Sequence, residues 1–545
     1  MPRGRPAPAS LWTATATAVA AVVALPILAV LSSLLVPAGH VWRHLWQTQL
    51  VELALSTIAL LAGVGVGTLV IGTGLAWLVV THRFPGCSVL EWALILPLAI
   101  PAYVVGFTFL GLFEFSGPVQ SALRGWLGPW FRLPELRSFG GVTLMMTLVF
   151  YPYVYLLARA AFREQGAATI ETARALGRSR AGAFATITLP LARPALAAGV
   201  SLAMMEALAD FGTVSTFGYR TLTEAIYRVW YGMFDRVAAA QLASVLLLFA
   251  LLLLGLERAS RGRARFVQGH RRGREVAPVV LQGWRAAAAT LACCAVLALA
   301  FVLPVGQLAL WAARSVRDGR VAPAFGALLA NALWLAAMAS LVACLLAIAL
   351  GYAARLSPTR GVRFSSQFAA MGYALPGAVI AVGVLLPLSW FDHAVTPILE
   401  RVAGRPLGLL LTGSAFGLVF AYVVRFLAVS VQTVDASLGR IPRSLDDAAR
   451  SLGASTGRAL RRVHLPLMRG GLLTALILVF VETMKELPAT LLLRPFGLNT
   501  LAVEVWERTS EAMWEEASVP ALAIVLAGLA PVVLAIRLSQ KPPTP

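Results

Sequence analysis

The sequence predicts an all-α integral membrane fold, with about twelve spanning helices arranged as two parallel six-helix repeats. Three observations carry this. Of 545 residues, 59% are hydrophobic and only 13% charged, where a soluble protein carries about 25% charged residues; mean hydropathy is +0.79. About twelve long apolar stretches run along the chain. And one polar island is written twice: residues 171–190 read ETARALGRSRAGAFATITLP and residues 447–466 read DAARSLGASTGRALRRVHLP, 276 residues apart with no insertion.

The apolar stretches fall near 11–37, 50–80, 88–113, 140–163, 195–217, 237–256, 286–312, 328–352, 366–390, 409–432, 470–492 and 518–536. Each approaches or exceeds the roughly 20 residues a spanning helix needs. Long unbroken runs exclude a transmembrane barrel, whose strands alternate over about ten residues. The first stretch follows Arg3 and Arg5 but exceeds the apolar core of about 7–15 residues of a signal peptide, so it reads as a retained helix.

Charge is placed as a membrane protein places it. The net +20 comes from 45 basic and 25 acidic residues, and only Lys485 and Lys541 are lysine. The arginines gather in alternate loops: Arg83; Arg159, Arg163, Arg174, Arg178, Arg180 and Arg193 at the first island; Arg258 to Arg274 midway; Arg440 to Arg469 at the second island. The positive-inside rule then puts both termini, both islands and the central basic segment in the cytoplasm, and nucleic-acid binding is excluded as the reason for the charge. Cys87, Cys293, Cys294 and Cys344 show no CxxC spacing and read as small hydrophobes. His40 and His44 are four apart, but without further ligands they read as surface residues. The acidic run 504–516 reads as a solvated helix face that also suits contact with a delivery protein outside.

The chain divides into a first membrane module, 1–256, a basic cytoplasmic linker, 257–285, and a second module, 286–545. Besides the islands, Ile100 to Gly106 resembles Leu375 to Gly383, and Glu206 and Glu482 share the 276-residue offset. Six helices per half in the same order make the repeats parallel, and the even count keeps both islands on one side.

Each island lies between the fourth and fifth helix of its half. Residues 167–176 favour a helix, Gly177 terminates it, and a second short segment covers 179–188 before Pro190 and Pro194 end or redirect it. The second copy repeats the plan: helix over 444–452, Gly453, helix over 455–464, Pro466. Ala173, Ala448 and Ala449 leave a small smooth face suited to a groove. A hairpin lying on lipid headgroups is the competing reading.

These residues resemble the membrane subunits of binding-protein-dependent ABC importers, whose pattern is Glu-Ala-Ala, three residues, Gly, nine residues, Ile-x-Leu-Pro. The first island matches as Glu171, Thr172, Ala173, Gly177, Ile187, Leu189 and Pro190; the second as Asp447, Ala448, Ala449, Gly453, Val463, Leu465 and Pro466. Thr172, Asp447 and Val463 are mild departures. The resemblance implies that the islands are cytoplasmic coupling helices, each docking one of two copies of a separate ATPase that binds ATP and Mg. It also implies an extracytoplasmic substrate-binding protein, a bacterial cytoplasmic (inner) membrane location, and a fused pair of permease modules. Glu482 to Gly497, followed by Asn499 to Ala502, is similar to the fused permeases of ferric-iron importers, with Ala209 to Thr213 as its counterpart; similar fused permeases serve thiamine and phosphonates, and polyamine is a further alternative.

No P-loop is encoded: neither Lys485 nor Lys541 follows the required glycine loop. HExxH, paired Cys–His spacing and GxSxG are missing too, so the sequence offers no catalytic site, metal site or resident cofactor. Glu206, Asp210, Glu482, Lys485 and Glu486 lie in or near the fifth and eleventh helices. Charge at mid-membrane costs about 2.5–3.5 kcal/mol or more, which directs it to the bundle interior. Carboxylates at matching places suit a hard trivalent cation, while Glu482 and Lys485, three apart, are also placed to pair with each other. A secondary transporter with parallel repeats is the less favoured class, because it has no use for two large helical islands.

Overall fold

A computed structural model describes residues 9–37, 39–165, 177, 179–261 and 278–540. Glu171, Thr172 and Ala173, and most of the segment 257–285, lie outside these residues. Among the described residues twelve helices are long and apolar enough to cross a membrane: α1 (Trp12–Leu35), α2 (Leu50–Thr81), α3 (Ala102–Leu127), α4 (Phe139–Glu164), α5 (Phe184–Ala209), α6 (Arg236–Ala259), α7 (Gly283–Arg317), α8 (Phe325–Leu356), α9 (Gly377–Ala403), α10 (Ala415–Gly439), α11 (Thr456–Lys485) and α12 (Trp514–Val533). The expected number and order are therefore present.

Three of the departures from the expected boundaries show a plain backbone reason. The third stretch does not run unbroken from 88: the chain forms the short helix Cys87–Ala93, a 3₁₀ turn Leu96–Ala99, and only then α3. Pro97 and Pro101 have no N–H to continue a helix. Conversely, α5 and α11 begin well before 195 and 470, so Pro190 and Pro466 do not end or redirect them. In each case a π turn precedes the proline, Phe184–Thr188 and Leu460–His464. The Leu189 and Leu465 amides reach back five residues to the Phe184 and Leu460 carbonyls. That shift rearranges the ladder just where proline removes a donor.

The chain forms two compact units, and these cut across the sequence division at 257–285. One contains residues 1–43, 226–247 and 323–504; the other contains 44–225, 248–322 and 505–545. In the first unit α8, α10 and α11 pack as a trio, and α1 lies along α8 and α9. In the second unit α2, α4 and α5 form the trio, and α7 packs on α12. The same three members of each six-helix repeat thus make each core, while each unit takes its opening helix from the other half of the sequence. Small residues let the second trio close. Val154 of α4 sits between two glycines, and a Cβ at Gly72 or Gly199 would come within 2.8 Å of the Val154 Cβ or Cα.

Candidate coupling islands and intramembrane carboxylates

The second island is fully described. Its first helix, Arg443–Ser451, ends in a Schellman turn: Ala454 N–H donates to Ala449 O at 2.9 Å and Gly453 N–H to Arg450 O at 3.0 Å. Gly453 has φ +77°, a left-handed conformation that costs a residue with a Cβ about 1–2 kcal/mol. Thr456–Ala459 then starts the second limb, which runs through the π turn into α11. At the first island Gly177 has φ +81°, a left-handed glycine at the matching place, and Ser179 Oγ accepts from Gly182 N–H at 3.1 Å.

The smooth alanine face expected at 448 and 449 is divided. Ala449 is turned into its own unit, 7% exposed, whereas Ala448 is open. The outward face is built by Leu445, Ala448 and Leu452, at helical spacing of three and four, and Leu452 is 86% exposed. Asp447 is also outside, paired across one turn with Arg450 at 2.8 Å. Leu452 was not singled out in the sequence; its place directly before Gly453 was the available signal.

The inner side of this island is held by charge. Asp446 meets Arg355, at the end of α8, at 2.7 Å, and its other oxygen lies 2.8 Å from His464 Nε2. Arg355 also donates to the Leu438 and Ile441 carbonyls at 2.8 and 2.9 Å, and Tyr352 donates to Thr456 O at 3.0 Å. At the first island the described anchor is Gln165 Nε2 donating to Thr188 O at 3.1 Å. Nearby, Glu91 of the short helix Cys87–Ala93 is buried between Arg159 and Arg163, with Arg159 Nε 2.8 Å from Glu91 Oε1. These arginines read as topology signals in the sequence; in the structure they also hold this short helix to α4.

The five intramembrane charges fall into two groups. Asp210 and Glu486, 276 residues apart, both stand where a spanning helix breaks. Asp210 Oδ1 accepts from Thr213 N–H and Oδ2 from Thr213 Oγ1, both at 2.7 Å, starting the short helix Gly212–Thr216. Glu486 Oε1 accepts from Ala489 N–H at 2.9 Å, starting Pro488–Leu493. Glu486 is 5% exposed and lies 2.9 Å from Arg425 of α10. Arg425 was the one arginine inside the stretch 409–432, a signal available in the sequence. Around this break Tyr227 donates to Pro488 O, Tyr231 to Leu491 O at 2.6 Å, and Tyr422 shares a hydrogen bond with Thr490 Oγ1 at 2.6 Å. Freed carbonyls within the apolar layer are thereby satisfied.

Glu206 and Glu482 form the second group, both half-buried one turn before their breaks. Glu482 Oε1 is 2.8 Å from Lys485 Nζ, so the three-residue spacing does produce a pair. The acidic run is partly neutralised: Glu515 lies 3.0 Å from Arg320 and 3.7 Å from Arg314. These groups border a cleft of about 520 Å³ that also includes Gln307, Trp311 and Trp514. Among the described residues no cluster of three or more His, Cys, Asp or Glu is placed to hold a metal ion.

Twelve spanning helices, one helix trio used twice, and a glycine-turned island before the fifth helix of each repeat define a transport permease. The profile described as binding-protein-dependent transport system inner membrane component matches residues 69–265 and 339–541, well over half of the chain, and the chain belongs to this family. It is a multi-pass membrane permease subunit of an ABC importer. Over 494 residues it is 28% identical to the Fe(3+)-transport system permease protein FbpB 2 of Haemophilus influenzae, covering 90% of each chain. It is 24% identical over 482 residues to the ferric transport system permease protein FbpB of Actinobacillus pleuropneumoniae, covering 83% of this chain and 66% of that one. It is also 32% identical over 233 residues to the molybdenum transport system permease protein ModB of Escherichia coli, which covers 40% of this chain and 96% of that one.

Proposed function

We propose that this chain is the fused permease of a ferric-iron importer. The observation that carries the cargo is the end-to-end similarity to a ferric permease, 90% of both chains; the molybdenum permease matches only 40% of this one. Residues 1–256 and 286–545 act as its two repeat modules, joined by the basic linker 257–285. Both islands and both termini face the cytoplasm, in line with the arginine distribution.

Each island docks one of two ATPase copies, which bind ATP and Mg. Glu171, Thr172, Ala173, Gly177, Leu189 and Pro190 serve the first site; Asp447, Ala448, Ala449, Gly453, Leu465 and Pro466 serve the second. The exposed Leu445, Ala448 and Leu452 face supports this, because an apolar knob beside charged rim residues suits a groove in a protein partner. A binding protein delivers cargo from outside, and closure of the ATPases switches access through the two docked islands.

Glu206, Glu482 and Lys485 line the cation path, while Asp210 and Glu486 shape it by capping the chain where α5 and α11 break. Half-buried carboxylates offer hard oxygen ligands to Fe(III). The test is uptake by reconstituted vesicles containing the ATPase, supplied with binding proteins loaded with ferric iron, thiamine, phosphonate, polyamine or molybdate. Ferric cargo alone is expected to be carried. The double variant Glu206→Gln, Glu482→Gln is expected to lose transport while keeping its ATPase; uptake at the wild-type rate sinks the pathway assignment.

A further inference from the structure

A groove of about 750 Å³ opens on the unit that contains α2, α4 and α5. Its walls are the last turns of α2, from Leu69 to Trp77, and the first turns of α5, from Leu189 to Ser201, with Leu256 closing one side. Along α2 it runs eight residues, about 12 Å at 1.5 Å per residue, and along α5 twelve, about 18 Å. The lining is almost wholly apolar, contains no acidic residue, and holds one cation, Arg193. Arg193 is exposed and makes no hydrogen bond or ion pair among the described residues.

The two ends of this groove differ in chemistry. At the island end lie Arg193, the ring of Trp77 and the ring of Phe184, the rings with centroids 4.1 Å apart. An indole and a guanidinium at one level of a spanning surface mark the headgroup layer. At the far end lie Leu69, Val70 and Val200, whose side chains are hydrocarbon, and Ser201, whose hydroxyl is the one polar side-chain group there. Gly74 forms part of the floor, and a Cβ there would meet no atom within 4 Å. The groove has this depth because that side chain is missing. Thr73 Oγ1, in the same wall, is buried with no hydrogen-bond partner.

In the other unit the matching helix is covered by protein. α8 has the same length as α2, and Tyr352 stands as far from its end as Trp77 does in α2. There α1 lies along α8, and Trp12 meets Tyr352 edge-on at 5.5 Å.

We propose that the α2–α5 groove is a binding site for one anionic phospholipid, with an acyl chain along Leu69 to Trp77 and the phosphodiester on Arg193. Charge complementarity selects this occupant. The groove is apolar enough for any acyl chain, but its one unpaired charge is positive and stands at headgroup level. The lipid lies against Phe184 and Leu189, at the root of the first island, so it stiffens the helix that carries one docking site.

The experiment is native mass spectrometry of the full chain released from micelles containing equal phosphatidylglycerol and phosphatidylcholine of the same acyl composition. The wild type is expected to retain one phosphatidylglycerol in about fivefold preference, the value of one arginine near an anionic surface. Arg193→Gln is expected to bring that preference to parity. Gly74→Leu, whose side chain enters open space, is expected to expel the bound lipid while leaving the melting temperature in detergent unchanged. Equal retention of both lipids by the wild type overturns the proposal. So does an unchanged phosphatidylglycerol count in Gly74→Leu, or an equal loss of preference in Arg469→Gln, which carries the matching arginine of the other repeat.

Discussion

Asp210 and Glu486 occupy the same place in the two repeats and are supported differently. Both cap a short helix that restarts after a break in a spanning helix, Asp210 through Thr213 and Glu486 through Ala489. Glu486 is one methylene longer and reaches Arg425 at 2.9 Å. At the offset of 276 residues the first repeat has buried Val149 where the second has that arginine. The duplication kept the backbone device, a carboxylate accepting a freed amide, because an unsatisfied N–H within the apolar layer is costly. It did not keep the side-chain chemistry around the device. Repeat symmetry in this chain is therefore symmetry of backbone need.

The largest test of this contrast is Arg425→Met. It leaves Glu486 buried and unpaired with its cation, at an expected cost of about 3–5 kcal/mol, seen as a lower unfolding midpoint in detergent. Asp210→Ala removes the cap to Thr213 and is expected to cost about 0.5–2 kcal/mol; equal losses would erase the difference between the repeats. Next is the second island's outward face. Leu452→Asp is expected to weaken ATPase association by about 1.5–3 kcal/mol, read as loss of co-purification, with the permease itself melting normally because the side chain is exposed. Gly177→Ala and Gly453→Ala come third, at about 1–2 kcal/mol each. Comparable weakening of ATPase binding by the two shows that the islands are equivalent; silence of one shows that a single island carries the grip. The smallest effect belongs to Tyr352→Phe, which removes one hydrogen bond to Thr456 O and is expected to cost about 0.5–1.5 kcal/mol. Amide exchange at 456–464 should rise while that at 179–188 stays unchanged.

Much of the architecture was legible because the bilayer imposes simple rules. Twelve apolar stretches became twelve helices, and Gly177 and Gly453 stood where the chain turns through positive φ. Two readings failed for one reason. Pro190 and Pro466 were expected to interrupt their helices, yet a π turn before each carries the helix through. Proline's missing N–H is visible in a sequence, but the rearranged carbonyl that compensates is not. Asp446 likewise gave no signal next to Asp447, although it is Asp446 that ties the island to Arg355 while Asp447 points outward.

The sequence by itself determined the membrane class, the helix count, the doubled island and the positions of the intramembrane charges. Each of these follows from local transfer energy or local backbone geometry. The tertiary structure decided which helices share a core, so that α1 lies with α8 and α9, and α7 with α12. It decided too that Glu486 answers to Arg425, and that Ala449 faces inward while Leu452 faces out. Those outcomes depend on packing between segments hundreds of residues apart, and apolar stretches of similar composition carry no local mark of which neighbour each will bury against.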